Sequence, residues 1–216
     1  MVNLRIGTYG NYYGSFTGES EILPIGQMSQ NAKYIYIALT DKGWTKNSIF
    51  ALLGNIQAES SINPGRWQND SVGNVSLGYG LVQWTPSTKY TNWCTERGYS
   101  DPSEMDNNLA RILYEVENNL QWIATSTYNF SFKEFTTSTK SIDELAKAFL
   151  LCYERPADQS EAVQTYRSTL ANNWANTLSG VVPDDPVNPS TSKRKKKKFN
   201  FVLFNNGRRN QWIKTL

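Results

Sequence analysis

The sequence predicts an α+β fold, mainly α-helical, with a small antiparallel sheet beside a cleft. Two observations support this fold class. Apolar residues recur at helical spacing over most of the central chain, whereas residues 67–84 break that spacing with Gly, Asn and Asp. A chain of 216 residues with 39% hydrophobic content can bury one well-packed core and still carry appendages. We therefore expect one principal domain over residues 29–179.

Five helices are predicted inside this domain. They cover residues 32–40, 45–59, 109–123, 141–155 and 160–178. Thr45 is a plausible N-cap, and Ser141 with Glu144 forms a capping-box pattern. The third segment has one apolar face at i, i+3, i+4 and i+7 spacing, made of Leu109, Ile112, Leu113, Val116, Leu120 and Ile123. Pro156 ends the fourth helix because proline disfavours helical geometry in the residue before it.

The predicted sheet lies in residues 67–84. Asp70, Gly73, Asn74 and Gly78 separate short apolar pieces there, which is typical of a hairpin or a three-stranded sheet. This region comes after the helix that ends near Glu59, so we expect the sheet to form one wall of a cleft.

The sequence contains no histidine, which excludes several classes of enzyme. Serine and cysteine hydrolases use histidine as their base, and zinc sites use it as their commonest ligand. Cys94 and Cys152 are too few for a cysteine-rich metal site, and their apolar neighbours predict buried free thiols. We expect no metal and no cofactor, so carboxylates must supply any acid–base chemistry.

Charge separates the C-terminal end of the chain from the rest. Nine of the 22 Lys and Arg residues lie after Pro186, and none of the 19 acidic residues does. Residues 180–192 are Pro-rich and predict a linker, and residues 193–216 predict a basic run and then a short β-hairpin. Residues 1–28, rich in Gly and Tyr, predict an arm that wraps the domain or a partner. The basic run alone is a weak reason to expect nucleic acid as a partner.

No export signal or membrane span is expected. The N-terminal residues contain no basic region leading into an apolar run, and no segment approaches the roughly 18 uninterrupted apolar residues of a membrane span. We therefore expect a protein that is made without a signal peptide and does not cross a membrane.

Glu59 is the first candidate catalytic residue. It lies at the end of an apolar helix, where low polarity and the negative end of the helix dipole favour the protonated carboxyl group. About twenty residues later the chain offers a Gly-rich, aromatic turn that ends in an amide and an indole, Gln83 and Trp84. A protonated carboxyl group facing such a turn suits an acid catalyst acting on a sugar polymer.

The second catalytic group has several candidates. Asp70 lies in a polar stretch where it should stay ionised, and it can activate water, stabilise a cation or merely cap a turn. Glu154 is a further candidate, although its neighbour Arg155 also allows a structural ion pair. If neither carboxylate faces Glu59, one acid acts alone and the sugar's own 6-hydroxyl attacks, which gives an anhydro product.

Substrate-binding candidates come from the same turn and from nearby aromatic residues. Gln83 and Tyr79 can bind the polar groups of a sugar, and Gly78 and Gly80 allow a ligand close to the main chain. The indoles that can stack on sugar rings or pack in the core are Trp67, Trp84 and Trp93. Tyr153 is expected at the floor of the cleft.

Residues 29–178 resemble the phage tail lysozyme family, which is related to goose-type lysozymes and soluble lytic transglycosylases. The resemblance rests on Glu59-Ser60 at a helix end and on Gly80-Leu81-Val82-Gln83 downstream. A wider set of strings resembles the lysozyme domain of tail-knob peptidoglycan-degrading proteins in phi29-like phages: Gly43-Trp44-Thr45-Lys46, Leu53-Gly54-Asn55, Ile62-Asn63-Pro64-Gly65, Trp67-Gln68-Asn69, Leu81-Val82-Gln83-Trp84-Thr85-Pro86 and Tyr153-Glu154-Arg155-Pro156.

This resemblance implies a lysozyme-like fold in which Glu59 is the catalytic acid. It implies cleavage of the β-1,4 bond between N-acetylmuramic acid and N-acetylglucosamine, with Ser60 and Glu154 among the residues of the substrate cleft. The protein would then sit at a virion tail, with the N-terminal arm and the C-terminal hairpin contacting tail proteins. The alternatives are a holin-released endolysin, a lytic transglycosylase and a catalytically idle structural module of the tail tip.

Overall fold

The computed structural model describes residues 20–179, which form seven α-helices joined by turns and irregular loops. The helices are α1 (Ile25–Thr40), α2 (Lys46–Ser60), α3 (Thr88–Glu96), α4 (Met105–Glu117), α5 (Phe132–Thr136), α6 (Ile142–Phe149) and α7 (Glu161–Leu178). A 3-10 turn (Gln68–Asp70) comes after α2, and a π-helical segment (Leu150–Glu154) continues α6. The predicted arm up to residue 19, the linker 180–192 and the tail 193–216 lie outside the described residues.

Helix α2 lies at the centre of the core because its surface is apolar nearly all round. Its residues from Ser48 to Ile56 are buried, and α1, α6 and α7 pack around it. A helix with this pattern is stable only when other elements cover it on every side. The last turn of α2, which carries Glu59, reaches the edge of this packed region and is half-buried.

Gly54 allows α7 to approach α2 closely. A Cβ atom at this position would lie 2.6 Å from the backbone nitrogen of Ala171 and 2.7 Å from the carbonyl oxygen of Arg167. No side chain fits at those distances, so the absence of one sets the separation of the two helices. The contact brings Arg167 within reach of the last turn of α2.

Replacing Gly54 with alanine is expected to destabilise the protein. The added methyl group would press on the backbone of α7, and overpacking of this kind costs about 1–3 kcal/mol, more than the roughly 1 kcal/mol that alanine gains over glycine in a helix. Thermal unfolding measures the effect. Gly26→Ala in α1 is the matched control, because a Cβ there meets nothing within 4 Å. Equal melting temperatures for the two variants would contradict the tight contact.

Most of the predicted helices are confirmed, and so are two of their caps. The Thr45 hydroxyl oxygen accepts from the Ser48 backbone N–H at 3.4 Å, and Ser141 forms a reciprocal capping box with Glu144. Helix α7 and the end of the fourth predicted helix before Pro156 also agree with the sequence. The short helices α3 and α5 were not predicted.

The prediction of one buried helical face up to Ile123 is wrong at its C-terminal end. Helix α4 ends at Glu117, and the side chains of Leu120 and Ile123 are 38% and 59% exposed. Asn119 and Gln121 adopt left-handed backbone conformations with φ of 49° and 65°, which an α-helix cannot contain. Apolar residues therefore continue at helical spacing in the sequence beyond Glu117, the last residue of α4.

The predicted antiparallel sheet is also wrong. Between residues 20 and 179 the only β pairing consists of the isolated bridges Trp67–Tyr79 and Tyr79–Trp84, so the described fold is helical and not α+β. Left-handed residues interrupt the extended conformation that a strand needs; they are Asn69, Asp70, Gly73, Gly80 and Gln83. The turn residues that suggested a hairpin are so frequent that the segments between them are too short to form strands.

Side chains take over the hydrogen bonding that a sheet would have supplied in this region. The backbone N–H of Gly78 donates to Gln68 Oε1 at 2.8 Å, and that of Leu81 donates to Asn108 Oδ1 at 2.9 Å. Buried backbone groups must find partners, and side-chain amides satisfy them without a strand ladder. Residues 67–84 therefore form a compact wall of turns in the place where the sheet was expected.

Both cysteines are buried free thiols, as predicted. Burial raises the pKa of the Cys152 thiol, and it raises the pKa of the Cys94 thiol to about 11. Neither thiol is therefore a ready nucleophile at neutral pH. Among the helices of residues 20–179, none has the length and apolar character needed to cross a bilayer.

Candidate active site

A polar cavity of about 280 Å³ lies where the end of α2 meets the wall of turns and the π-helical segment. Two carboxyl groups and one amide that the sequence singled out line it: Glu59, Glu154 and Gln83. The remaining lining residues are Arg66, Gln68, Asn69, Thr85 and Pro156. Residues from three separate parts of the chain thus form one site.

A second cavity of about 240 Å³ adjoins the first, because Gln83, Thr85 and Glu154 line both. Its other lining residues are Val82, Trp84, Lys89, Gln121, Tyr153 and Arg155. The two cavities form a groove longer than a single pocket, and Glu154 lies where they meet. A groove of this kind suits an extended chain better than a small compact ligand.

Glu59 is paired with an arginine from α7. Arg167 Nη2 donates to Glu59 Oε1 at 2.6 Å, and the two side chains are only 9% and 20% exposed. The same guanidinium donates through Nη1 to the carbonyl oxygen of Asn55 at 2.8 Å. Two hydrogen bonds to α2 hold Arg167 in one orientation against the Glu59 carboxyl group. No sequence pattern indicated this pair, because 108 residues separate its members.

Glu154 is the last residue of the π-helical segment and is half-buried. Burial raises the pKa of its carboxyl group well above the usual range, and the negative charge of Glu59 raises it further. Within the part of the chain that the structure describes, its Oε1 atom is shielded from solvent and has no hydrogen-bond partner. A buried carboxyl oxygen in this state favours the neutral, protonated form of the group.

The ion pair between Glu154 and Arg155 that the sequence allowed is not formed. The guanidinium of Arg155 donates instead to the carbonyl oxygens of Gln121 and Cys152. Arg155 adopts a left-handed conformation, with φ of 49°, as it terminates the π-helical segment. The Arg155 side chain thus stabilises the loop after α4, and the Glu154 side chain faces the cavity without it.

A buried glutamate that the sequence analysis missed organises the floor of the groove. Glu115 is 1% exposed and accepts hydrogen bonds from Trp84 Nε1 at 3.0 Å, Arg111 Nε at 2.8 Å and the Tyr153 hydroxyl. Burial raises the pKa of its carboxyl group, and the charge of Arg111 opposes that shift. One signal was present in the sequence: Glu115 is three residues after Ile112, on the apolar face of α4.

Glu115 therefore fixes the positions of Trp84 and Tyr153 by hydrogen bonds. Their polar atoms are engaged by Glu115, and their side chains are buried although both residues line the second cavity. Trp84 also stacks on Tyr90 with ring centroids 4.4 Å apart. These rings form the fixed floor of the groove.

The Gly-rich turn is shaped mainly by packing. A Cβ at Gly80 would lie 2.7 Å from Asn108 Oδ1, and one at Gly78 would lie 2.9 Å from the carbonyl oxygen of Gln83. Gly78, Tyr79 and Gly80 are buried and line neither of the two cavities. Their effect on the site is to place Gln83.

The Gln83 side chain is fixed by the same turn. Its Nε2 donates to the carbonyl oxygens of Arg66 and Gly80 at 3.1 and 2.8 Å. Both cavities border this residue, which therefore presents a fixed amide to the groove. Of the residues predicted in the Gly-rich turn, Gln83 and Trp84 are the two that border the groove.

Three other predicted residues lie apart from Glu59's cavity. Asp70 has a side chain that is 64% exposed; it contacts the guanidinium of Arg66 and accepts from the Ser20 hydroxyl at 3.3 Å. Ser60 is buried, and its hydroxyl donates back into α2, to the carbonyl oxygen of Ile56 at 3.1 Å. Trp67 packs against Tyr79 in a tilted arrangement, with ring centroids 4.5 Å apart. None of the three lines either cavity.

Comparison with known proteins places the chain among phage proteins. The chain is 52% identical over 165 residues to the protein named morphogenesis protein 1 of Bacillus phage B103, an alignment that covers 76% of this chain and 44% of that relative. The chain thus spans less than half the length of this relative. The sequence profile described as phage tail lysozyme matches residues 30–178, which include Glu59, Gln83 and Glu154. The resemblance found in the motifs is confirmed, and the chain belongs to the phage tail lysozyme family.

Proposed function

We propose that the chain is a peptidoglycan glycosidase that cleaves the β-1,4 bond between N-acetylmuramic acid and N-acetylglucosamine. One observation carries the proposal: two carboxyl groups, Glu59 and Glu154, line one polar cavity together with Gln83 in a domain of the phage tail lysozyme family. Breaking a glycosidic bond requires a proton on the leaving oxygen while positive charge builds at the anomeric carbon. A carboxyl pair supplies both functions.

Glu59 is the proposed catalytic acid. It projects from the rigid end of α2, where Arg167 and the packed core restrict its position. Gln83 is proposed to hold the sugar from the opposite wall, since the turn around it fixes its amide. The second catalytic carboxylate is proposed to be either Asp70, whose partner Arg66 borders the cavity, or Glu154, which lines it.

The groove supports a polymeric substrate. Two adjoining cavities of about 280 and 240 Å³ share Gln83, Thr85 and Glu154, so that neighbouring sugar units can bind on either side of Glu154. The exposed Lys89 and the half-buried Arg155 border the second cavity and give it a positive character that suits the carboxylates of muramic acid and its peptide.

A place in the virion tail is part of the same proposal. The family and the phage relative support a protein that acts on the host cell wall at entry, with peptidoglycan as its substrate. Residues 1–28 and 193–216 are proposed to contact tail proteins. Mass spectrometry of purified particles tests this part, because a holin-released endolysin would be absent from them.

Digestion of Gram-positive peptidoglycan tests the activity. We expect the protein to release soluble glycan fragments that mass spectrometry identifies as ending in reducing muramic acid, which is the product of hydrolysis. Anhydro ends would instead show transglycosylation. Release of no fragments by a folded protein that still binds the wall would overturn the proposal and favour a structural module of the tail.

A further inference from the structure

Glu154 is a half-buried titratable group, and the proposed function leaves open whether it or Asp70 is the second catalytic group. It lies at the junction of the two cavities, and its carboxyl oxygen Oε1 lacks a hydrogen-bond partner among the described residues. A buried polar atom without a partner destabilises the folded protein. Structural sites avoid that cost, whereas catalytic sites commonly retain it.

The charged groups around Glu154 come from four parts of the fold. Glu59 on α2 and Glu115 on α4 disfavour a second negative charge, and Arg167 on α7 and the adjacent Arg155 favour one. Both arginines are engaged elsewhere, Arg167 by Glu59 and Arg155 by backbone carbonyls. Burial and like charge therefore dominate at Glu154, and both favour its protonated form beside Glu59.

We propose that Glu154 is the second catalytic carboxyl group and that it shares a single proton with Glu59. This inference rests on the proposed function. Asp70, the alternative, is exposed, is paired with Arg66 and lies outside the lining of the cavity that holds Glu59. Of the predicted carboxylates, only Glu154 shares that cavity with Glu59.

The shared proton balances the reaction. Glu154 holds the proton at rest and passes it to Glu59, which gives it to the leaving oxygen as the bond between that oxygen and the anomeric carbon breaks. Both carboxylates are then ionised, and the burial that raises the pKa of Glu154 makes it a good acceptor for the proton of the attacking water. The oxygen of that water bonds to the anomeric carbon, and the pair ends the cycle with one proton, as it began. This route gives hydrolysis with a reducing product.

Kinetic comparison of Glu154→Gln with Asp70→Asn tests the assignment. For Glu154→Gln we expect kcat to fall by at least about 10²-fold while glycan binding changes only a few-fold, since general catalysis by one group contributes about 10²–10⁴-fold. The bell-shaped pH profile of the wild type should lose one limb in this variant. Asp70→Asn should retain most of the activity. A large loss in Asp70→Asn with little loss in Glu154→Gln would overturn the proposal.

Thermal unfolding against pH gives a readout that does not depend on activity. A carboxyl group whose pKa is raised on folding contributes stability below its unfolded pKa of about 4.5, and that contribution is lost as the pH rises. The Glu154→Gln variant should therefore gain melting temperature relative to the wild type as the pH rises from 4 to about 7. Glu161→Gln, an exposed position at the start of α7, is the control and should show no such gain.

The two measurements separate the two proposals. A pH-dependent gain in Glu154→Gln, together with no glycan release by the wild type, would refute the glycosidase while the shared proton stands. If the wild type releases glycan and Glu154→Gln has the same kcat, the catalytic role of Glu154 is refuted and the proposed glycosidase activity stands. A flat difference in melting temperature between pH 4 and 7 would refute the shared proton.

Discussion

Glu59→Gln is expected to abolish glycan release, with a loss of turnover near 10⁴-fold, the upper end of what a positioned acid contributes. Glutamine has the size of glutamate but no acidic proton to deliver to the leaving oxygen. The amide oxygen can still accept from Arg167 Nη2, whose donor lies 2.6 Å from Glu59 Oε1 in the native pair. The fold should therefore survive, and the loss should appear in kcat with glycan binding retained.

Soluble muropeptide release, quantified by mass spectrometry and calibrated against the wild type, measures this effect. Glu161→Gln removes a carboxylate from the exposed first turn of α7 and serves as the matched control, with activity equal to the wild type. Circular dichroism of both variants establishes that they are folded. Activity of Glu59→Gln within tenfold of the wild type would contradict the assignment of Glu59 as the acid.

Glu115→Ala is expected to have the largest effect on stability. The substitution leaves the guanidinium of Arg111 without its buried partner and removes the acceptor of Trp84 Nε1 and the Tyr153 hydroxyl. Breaking a buried ion pair by deleting one member costs about 3–5 kcal/mol. Because the same acceptor fixes two rings of the groove floor, activity measured well below the melting temperature should fall as well.

Chemical denaturation of Glu115→Ala and Glu115→Gln measures this cost. The glutamine variant keeps an oxygen that can accept from the indole and the hydroxyl, so its free energy of unfolding should lie between those of the wild type and the alanine variant. If both variants unfolded at the denaturant concentration of the wild type, the network would not hold the groove floor.

The sequence predicted the parts of the site that depend on local pattern. Glu59 was found because it ends an apolar helix, and Gln83 because it closes a Gly-rich turn; both border the same cavity. Arg167 was missed because its contact with Glu59 spans 108 residues and depends on the close approach of α7 at Gly54. Packing between helices sets that contact, and no local pattern encodes it.

The sequence was least reliable where turn residues are dense. Gly, Asn and Asp between residues 67 and 84 are compatible with tight hairpins and with successive turns, and the two outcomes differ only in how many left-handed residues occur. The raised pKa of the Glu154 carboxyl group could not be predicted from the sequence either. It depends on burial and on the charge of Glu59, both of which exist only after α2 and the π-helical segment meet.

The π-helical segment explains how two adjacent residues take different places, with Tyr153 in the floor of the groove and Glu154 at the junction of the two cavities. Its hydrogen bond from the Arg155 N–H to the Leu150 carbonyl, at 2.8 Å, spans five residues where an α-helix would span four. Such a segment behaves as a one-residue insertion into a regular helix. Deleting one residue there would restore the α-helical repeat and rotate the residues beyond the deletion by about 100°. The positions of these two side chains therefore depend on one surplus residue, which directs Tyr153 inward to Glu115 and leaves Glu154 in the groove.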